Sequence, residues 1–153
     1  MPSIGETAPD FELRNQDDVP VRLSQYLGQK VVLFAFPQAF TPGCNAQACG
    51  FRDRFPVIQA NGAVVLGISP DQPETLRRWK TENGLPYDLL SDPDHRVLDG
   101  WHAWGKSLFG LLTIPRTNRS IWVVDENGVV IEEALGVGPV ESIQRAVKAL
   151  GGA

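Results

Sequence analysis

Two uninterrupted apolar runs, Val31 to Phe36 (Val-Val-Leu-Phe-Ala-Phe) and Ala63 to Ile68 (Ala-Val-Val-Leu-Gly-Ile), limit the fold of this chain more than any other feature. Neither run alternates apolar with polar residues, so each reads as a strand covered on both faces, the signature of a parallel sheet. Between them Ala48, Phe51, Phe55 and Ile58 recur at spacings of three and four, which is one face of a helix. Asn61-Gly62 ends that pattern, and Pro56 inside it is expected to kink or break the helix by removing a hydrogen bond. Two buried strands joined by a helix form a right-handed parallel crossover. Such a unit brings the carboxyl end of the first strand, the loop and the helix N-terminus together at one edge of the sheet.

At that edge stands Phe36-Pro37-Gln38-Ala39-Phe40-Thr41-Pro42-Gly43-Cys44-Asn45-Ala46-Gln47-Ala48-Cys49, which contains both cysteines of the chain. Cys44 falls in the first helical turn, where unpaired N–H groups and the positive end of the peptide dipoles stabilise a thiolate. A free thiol ionises near pH 8.5, and lowering that by about two pH units takes roughly 2.7 kcal/mol. A helix N-terminus supplies ~1 kcal/mol, so the rest requires a fixed cation. Arg116 and Arg119, just ahead of an apolar strand Ser120 to Asp125, are the candidates; the alternative for each is an exposed arginine at a strand edge. For Cys49 the residues alone leave open whether it reacts or merely packs. Five helical residues separate the two Cα atoms by roughly 8.5 Å, beyond the ~7 Å that a disulfide spans, so any bond between them requires the first turns to unwind.

The remaining chain fits the same frame. A turn at Asn15 to Asp18 precedes a short strand Val19 to Leu23, making an N-terminal hairpin, and Ser24 caps a single helical turn ending at Gly28. Pro73 to Asn83 reads as a helix with Leu76 and Trp79 inward and Gly84 as its stop. Tyr87 to Ser91 is a strand, and Asp92-Pro93-Asp94 opens a helix carrying Val97, Leu98 and Trp101. Trp104 to Pro115, with Gly105 and Gly110, reads as loop, in which Trp104 and Phe109 could form an exposed apolar patch. Asn127-Gly128 turns a hairpin between Ser120–Asp125 and Val129–Ala134. A closing helix, Pro139 to Leu150, puts Val140, Ile143, Val147 and Leu150 on one face. With 153 residues and no linker, one domain over residues 1–153 is expected. A net charge of −4 without basic runs argues against a nucleic-acid partner. No apolar run is long enough for a membrane helix, no signal-peptide core opens the chain, and a cytoplasmic location follows as the expectation. His95 and His102 lack ligand spacing, so neither a metal nor a cofactor is expected.

Pro37, Thr41 and Cys44 form the Pro-x-x-x-Thr-x-x-Cys pattern of the peroxiredoxins. Thr-Pro-Gly-Cys with a second cysteine five positions on resembles the peroxiredoxin Q, or bacterioferritin-comigratory-protein, class. The likeness extends through Gly5-Glu6-Thr7-Ala8-Pro9-Asp10-Phe11, Gly67-Ile68-Ser69-Pro70-Asp71, Leu90-Ser91-Asp92-Pro93-Asp94, Trp104-Gly105 and Arg119-Ser120. The resemblance implies an α/β thioredoxin-like fold: a central mixed sheet flanked by helices, with an N-terminal hairpin extension. It further implies that Cys44 reduces hydrogen peroxide and organic hydroperoxides, that Cys49 resolves the sulfenic acid as a disulfide, and that Arg119 is the active-site arginine. Thr41 and Pro37 complete the catalytic set, while Phe36, Pro42 and Gly43 contact substrate. A thioredoxin or glutaredoxin-like reductant and a monomer or weak homodimer are expected with it. Asn45, where threonine is usual, Gln47, which often varies with glutamate in the class, and the apolar Gln38-Ala39-Phe40 loop depart from the class pattern, the first two bearing on how easily the helix opens. Two other activities fit a cysteine pair: thiol–disulfide exchange on proteins, for which closer Cys-x-x-Cys spacing is the norm, and non-enzymatic peroxide sensing.

Overall fold

A computed structural model describes residues 3–108 and 112–151. Its main sheet has seven strands in the order β2-β1-β5-β4-β3-β8-β9. The centre is the expected parallel set: β3 (Lys30–Ala35) pairs with β4 (Ala63–Ser69), and β4 with β5 (Asp88–Ser91). The N-terminal hairpin, β1 (Glu12–Asn15) and β2 (Pro20–Arg22), joins antiparallel to β5. On the other side β8 (Ser120–Val124) runs antiparallel to β3, and β9 (Val130–Leu135) closes that edge. The single turn after β2 is a 3-10 turn, Leu23–Tyr26; Ser24 does not cap it but donates its own N–H to Asp10 Oδ1 at 2.9 Å.

The packing of β3 explains why its sequence is apolar from Val31 onward. Val32 and Phe34, with Phe36 just beyond the strand, point to one face and join Phe51, Ile58, Leu76 and Trp79 from α1 (Pro42–Ala60) and α2 (Pro73–Asn83). Val31, Leu33 and Ala35 point to the other and join Trp122, Trp101 and Leu98, the last in the short α3 (Arg96–Gly100). Strand side chains alternate between faces, and here both faces are core, so only Lys30 at the strand's start is polar. Phe34 stacks on Phe51 with ring centroids 4.8 Å apart, fixing α1 over the sheet. The last helix, α4 (Pro139–Ala149), packs beside α1 with Ile143 against Gly50, where any Cβ would collide with Ile143 Cδ1.

Four expectations change. α1 runs unbroken through Pro56, because that residue lies on the exposed side, where water satisfies the carbonyl its ring leaves unpaired. Trp104 to Pro115 is not loop: β6 (Trp104–Leu108) and β7 (Leu112–Thr117) form a separate antiparallel ribbon, with a bulge at Gly105, whose φ is +91°. Trp104 is half-buried and stacks flat on His95, ring centroids 3.9 Å apart, rather than forming an exposed patch; Phe109 and Gly110 lie outside the described residues. Val140 is 65% exposed, since the buried stripe of α4 turns toward Ser142 and Ala146. Among the described residues no helix is long and apolar enough to cross a membrane.

Candidate active site

The carboxyl ends of β3 and β4 build the site. Phe36 is wholly buried against Trp79, ring centroids 4.9 Å apart, so it supports the site from beneath and presents no surface to a substrate. The chain then leaves the sheet through Pro37 to Phe40. Asp71, just past β4, pins this loop: its Oδ2 accepts from Ala39 N and from Ser69 Oγ, each at 2.8 Å. Ser91 Oγ in turn donates to the Asp71 carbonyl at 2.6 Å. Phe40 takes a left-handed φ of +65°, unusual for a bulky residue, and turns its ring outward under the Arg78 guanidinium.

Thr41 is the N-cap residue of α1, Pro42 the first helical residue, and Cys44 the third. Proline at that position sacrifices no bond, since the N–H it lacks would be unpaired anyway. The first helical hydrogen bond is Asn45 N to Thr41 O at 2.8 Å, so the N–H groups of Gly43 and Cys44 precede the ladder and are open to an anion. No acidic side chain occupies the first turn to cancel the dipole. Cys44 is 1% exposed and a free thiol.

Arg119, immediately before β8, supplies the cation. β8 is antiparallel to β3, so its beginning lies beside the end of β3. Arg119 Nη2 approaches Cys44 Sγ at 3.4 Å, and Nη1 donates to Gln47 Oε1 at 2.7 Å. Gly43 makes the approach possible, because a Cβ there would lie 2.9 Å from Nη2. Arg116 is exposed and makes no such contact; with Pro37, Thr117, Asn118, Arg119, Gly136 and Val137 it borders a small cavity of about 160 Å³. A separate pocket of about 230 Å³ between Leu23, Leu27, Val31 and Val124 is at the opposite end of β3.

Thr41 Oγ1 donates to the Gln38 carbonyl at 2.7 Å. Its proton is therefore committed, and toward the site it offers only lone pairs. Pro42 is exposed, and Pro37 is half-buried at the cavity rim. Cys49 lies farther along α1, half-buried, its Sγ 3.6 Å from Asn83 Oδ1. The two cysteines share one continuous helix, so the separation calculated from the sequence applies. Three contacts tie this stretch of α1 to its surroundings: Trp79 Nε1 to Asn45 Oδ1 at 2.7 Å, Tyr87 Oη to Ala48 O at 2.7 Å, and Arg52 Nη1 to Asn83 O at 2.8 Å. Burial holds the Tyr87 hydroxyl well above its ordinary range, with the nearby Cys49 thiol adding to the effect, so it remains a donor.

Sequence reasoning did not assign Gln47 and Ser142. Both are fully buried, and Gln47 Nε2 donates to Ser142 Oγ at 3.1 Å. Gln47 was within reach, since it lies three residues after Cys44 on the same helix face. Nothing in the sequence marks Ser142.

The chain resembles known proteins over most of its length. Residues 4–133 match the model of the AhpC/TSA family. The chain is 41% identical to the putative peroxiredoxin bcp of Haemophilus influenzae over 85% of this chain and 84% of that protein. It is 40% identical to peroxiredoxin Bcp of Escherichia coli over 82% and 81%. The crystal structure of peroxidoxin BcpB from Mycobacterium tuberculosis, 31% identical, superposes with a TM-score of 0.87 over 99% of this chain and 97% of that one, which makes the fold thioredoxin-like. A thiol at a helix N-terminus facing a fixed arginine, on that fold and with those relatives, means that the chain belongs to the AhpC/TSA family and is a peroxidase of its Bcp, or peroxiredoxin Q, class.

Proposed function

We propose that this protein reduces hydroperoxides at Cys44, that Cys49 resolves the oxidised sulfur, and that a thioredoxin- or glutaredoxin-like dithiol restores both thiols. The observation that carries the reading is the 3.4 Å approach of Arg119 Nη2 to Cys44 Sγ at the start of α1. The Cys44 thiolate attacks the terminal oxygen of ROOH and the O–O bond breaks; the sulfur keeps the OH as Cys44–SOH, and the departing RO⁻ takes a proton from water to become ROH. Charge moves from sulfur to the departing oxygen, and Arg119 together with the Gly43 and Cys44 N–H groups meets it along that path. Thr41 Oγ1, its own proton given to Gln38, accepts the hydrogen of the incoming hydroperoxide. Cys49 then displaces water from Cys44–SOH to form the disulfide, after the first turns of α1 open. Two electrons from the dithiol reduce that disulfide. A cytoplasmic protein acting as a monomer or weak homodimer accords with this cycle.

Single-turnover kinetics test it. Cys44→Ser is expected to consume no peroxide, whereas Cys49→Ser consumes one equivalent and is then not recycled by a dithiol. Full multi-turnover activity of Cys49→Ser with a thioredoxin-type reductant removes Cys49 from the mechanism. Loss of one peroxide per Cys44 only over hours argues for a sensor instead.

A further inference from the structure

The guanidinium of Arg119 touches Cys44 through one nitrogen and is held by Gln47 through the other, and Gln47 has two ends. Its carbonyl attracts the cation; its amino group repels it. Both ends are nearly the same shape, so something beyond packing must choose between them. Arg119, which can only donate, and Ser142 on α4 choose together. Ser142 Oγ donates its single proton to the Pro139 carbonyl at 2.7 Å, which leaves only lone pairs for Gln47. Gln47 must therefore present its amino group to Ser142, at 3.1 Å, and its carbonyl to Arg119, at 2.7 Å. Both Gln47 and Ser142 are fully buried, so water cannot replace either partner.

We propose that Ser142 is a positioning residue for the peroxidase reaction: through the orientation of the Gln47 amide it aims Arg119 at Cys44. The chain of contacts is directional, from the Pro139 carbonyl through the Ser142 hydroxyl and the Gln47 amide to the guanidinium and the sulfur. It links residues 95 and 72 positions apart to a helix turn. This rests on the reading of Arg119 as the cation that serves the Cys44 thiolate.

Alkylation of Cys44 against pH, measured in a Cys49→Ser background so that one thiol reports, tests the role. Ser142→Ala keeps α4 intact, since alanine is a better helix former, but leaves the Gln47 amino group unpaired and free to exchange ends with the carbonyl. The midpoint of thiolate formation is expected to rise by about half a pH unit or more, and peroxide consumption at pH 7 to slow at least ~3-fold, with the melting temperature lowered by a few degrees because a buried amino group loses its partner. Ser142→Thr retains the hydroxyl and restores both. In a Gln47→Leu background, itself expected to raise the midpoint, Ser142→Ala should add nothing. An unchanged midpoint in Ser142→Ala or in Gln47→Leu overturns the proposal, as does an effect of Ser142→Ala that persists when Gln47 is leucine. Failure of the underlying reading is distinguishable, because Arg119→Ala would then also leave the midpoint unmoved.

Discussion

Gly43→Ala separates what Arg119 does for the reaction from what it does for the fold. The glycine lies in the first turn of α1 with a φ outside the left-handed region, so alanine fits the backbone there. Helix propensity favours the substitution by about 0.5–1 kcal/mol. The added Cβ, however, would stand 2.9 Å from Arg119 Nη2 and 3.7 Å from its central carbon. Relief means moving the tip of a long side chain by roughly 0.5 Å, which costs the fold little. The same movement stretches the 3.4 Å contact with Cys44 Sγ toward the limit of a hydrogen bond to sulfur. Losing about half of a charge-assisted bond of 1.5–3 kcal/mol leaves a deficit of about 1 kcal/mol, or roughly fivefold in rate. Stability and activity should thus move in opposite directions: a melting temperature unchanged or raised by about 2 °C, and a fivefold lower second-order rate constant for peroxide with reductant in excess. In an Arg119→Ala background the alanine should have no further effect. Wild-type kinetics in Gly43→Ala would refute the reasoning, and so would an equal slowing when Arg119 is absent.

Arg119→Ala should raise the pH at which Cys44 becomes alkylatable and slow peroxide reduction at least ~10-fold, while exposed Arg116→Ala has a smaller effect; the reverse ranking in the alkylation profile would transfer the role to Arg116. Oxidation should strip amide-exchange protection from the first turns of α1, roughly Gly43 to Phe55, and free Trp79 from Asn45, whereas equal protection in both redox states means that the resolving thiol comes from another molecule. Burial pushes the Asp92 carboxyl above its ordinary 3.8, against the pull of the Leu98 N–H, and its Oδ1 has no partner among the described residues. The native state then holds that proton more tightly than the unfolded chain, so stability declines as pH rises through and beyond 3.8. Asp92→Asn, which keeps an acceptor for Leu98, should be stabilised at pH 7 and unchanged below about pH 3.5; urea midpoints that differ equally at both pH values would contradict this.

The centre of the fold was legible because burial on both faces leaves no polar position within Val31 to Phe36 or Ala63 to Ile68, and runs of that kind have few interpretations. The β6–β7 ribbon was not. Among the described residues it pairs only with itself, in a sheet of its own, and Gly105, one of the two glycines that signal loop, is the residue that forms its bulge. Pro56 misled for a related reason: a proline's cost depends on whether the carbonyl it strands is buried, which spacing alone does not tell. In the site, Cys44, Thr41 and Pro37 announce themselves by local pattern, and Arg119 by the strand it precedes. The aim of Arg119 depends instead on α4 packing beside α1, a tertiary fact. On α4 the apolar spacing finds Ile143, Val147 and Leu150, which are buried, but not Ser142, whose burial beside them no apolar pattern marks, while Val140 is exposed.

The antiparallel setting of β8 also orders events during synthesis. A parallel neighbour of β3 would begin at the far end of the sheet; only a strand running the other way can start where β3 ends. Cys44 therefore waits for a residue 75 positions downstream, and the Gln47 amide for one 95 positions downstream of itself. A nascent chain that has folded β3, α1 and β4 already carries the thiol at a helix start but lacks its cation. Contacts of such sequence separation are among the last to form. On the proposed mechanism full nucleophilicity is withheld until α4 has docked, and a half-made chain is expected to react with peroxide more slowly than the finished protein, sparing its thiol while no completed site exists to recycle it.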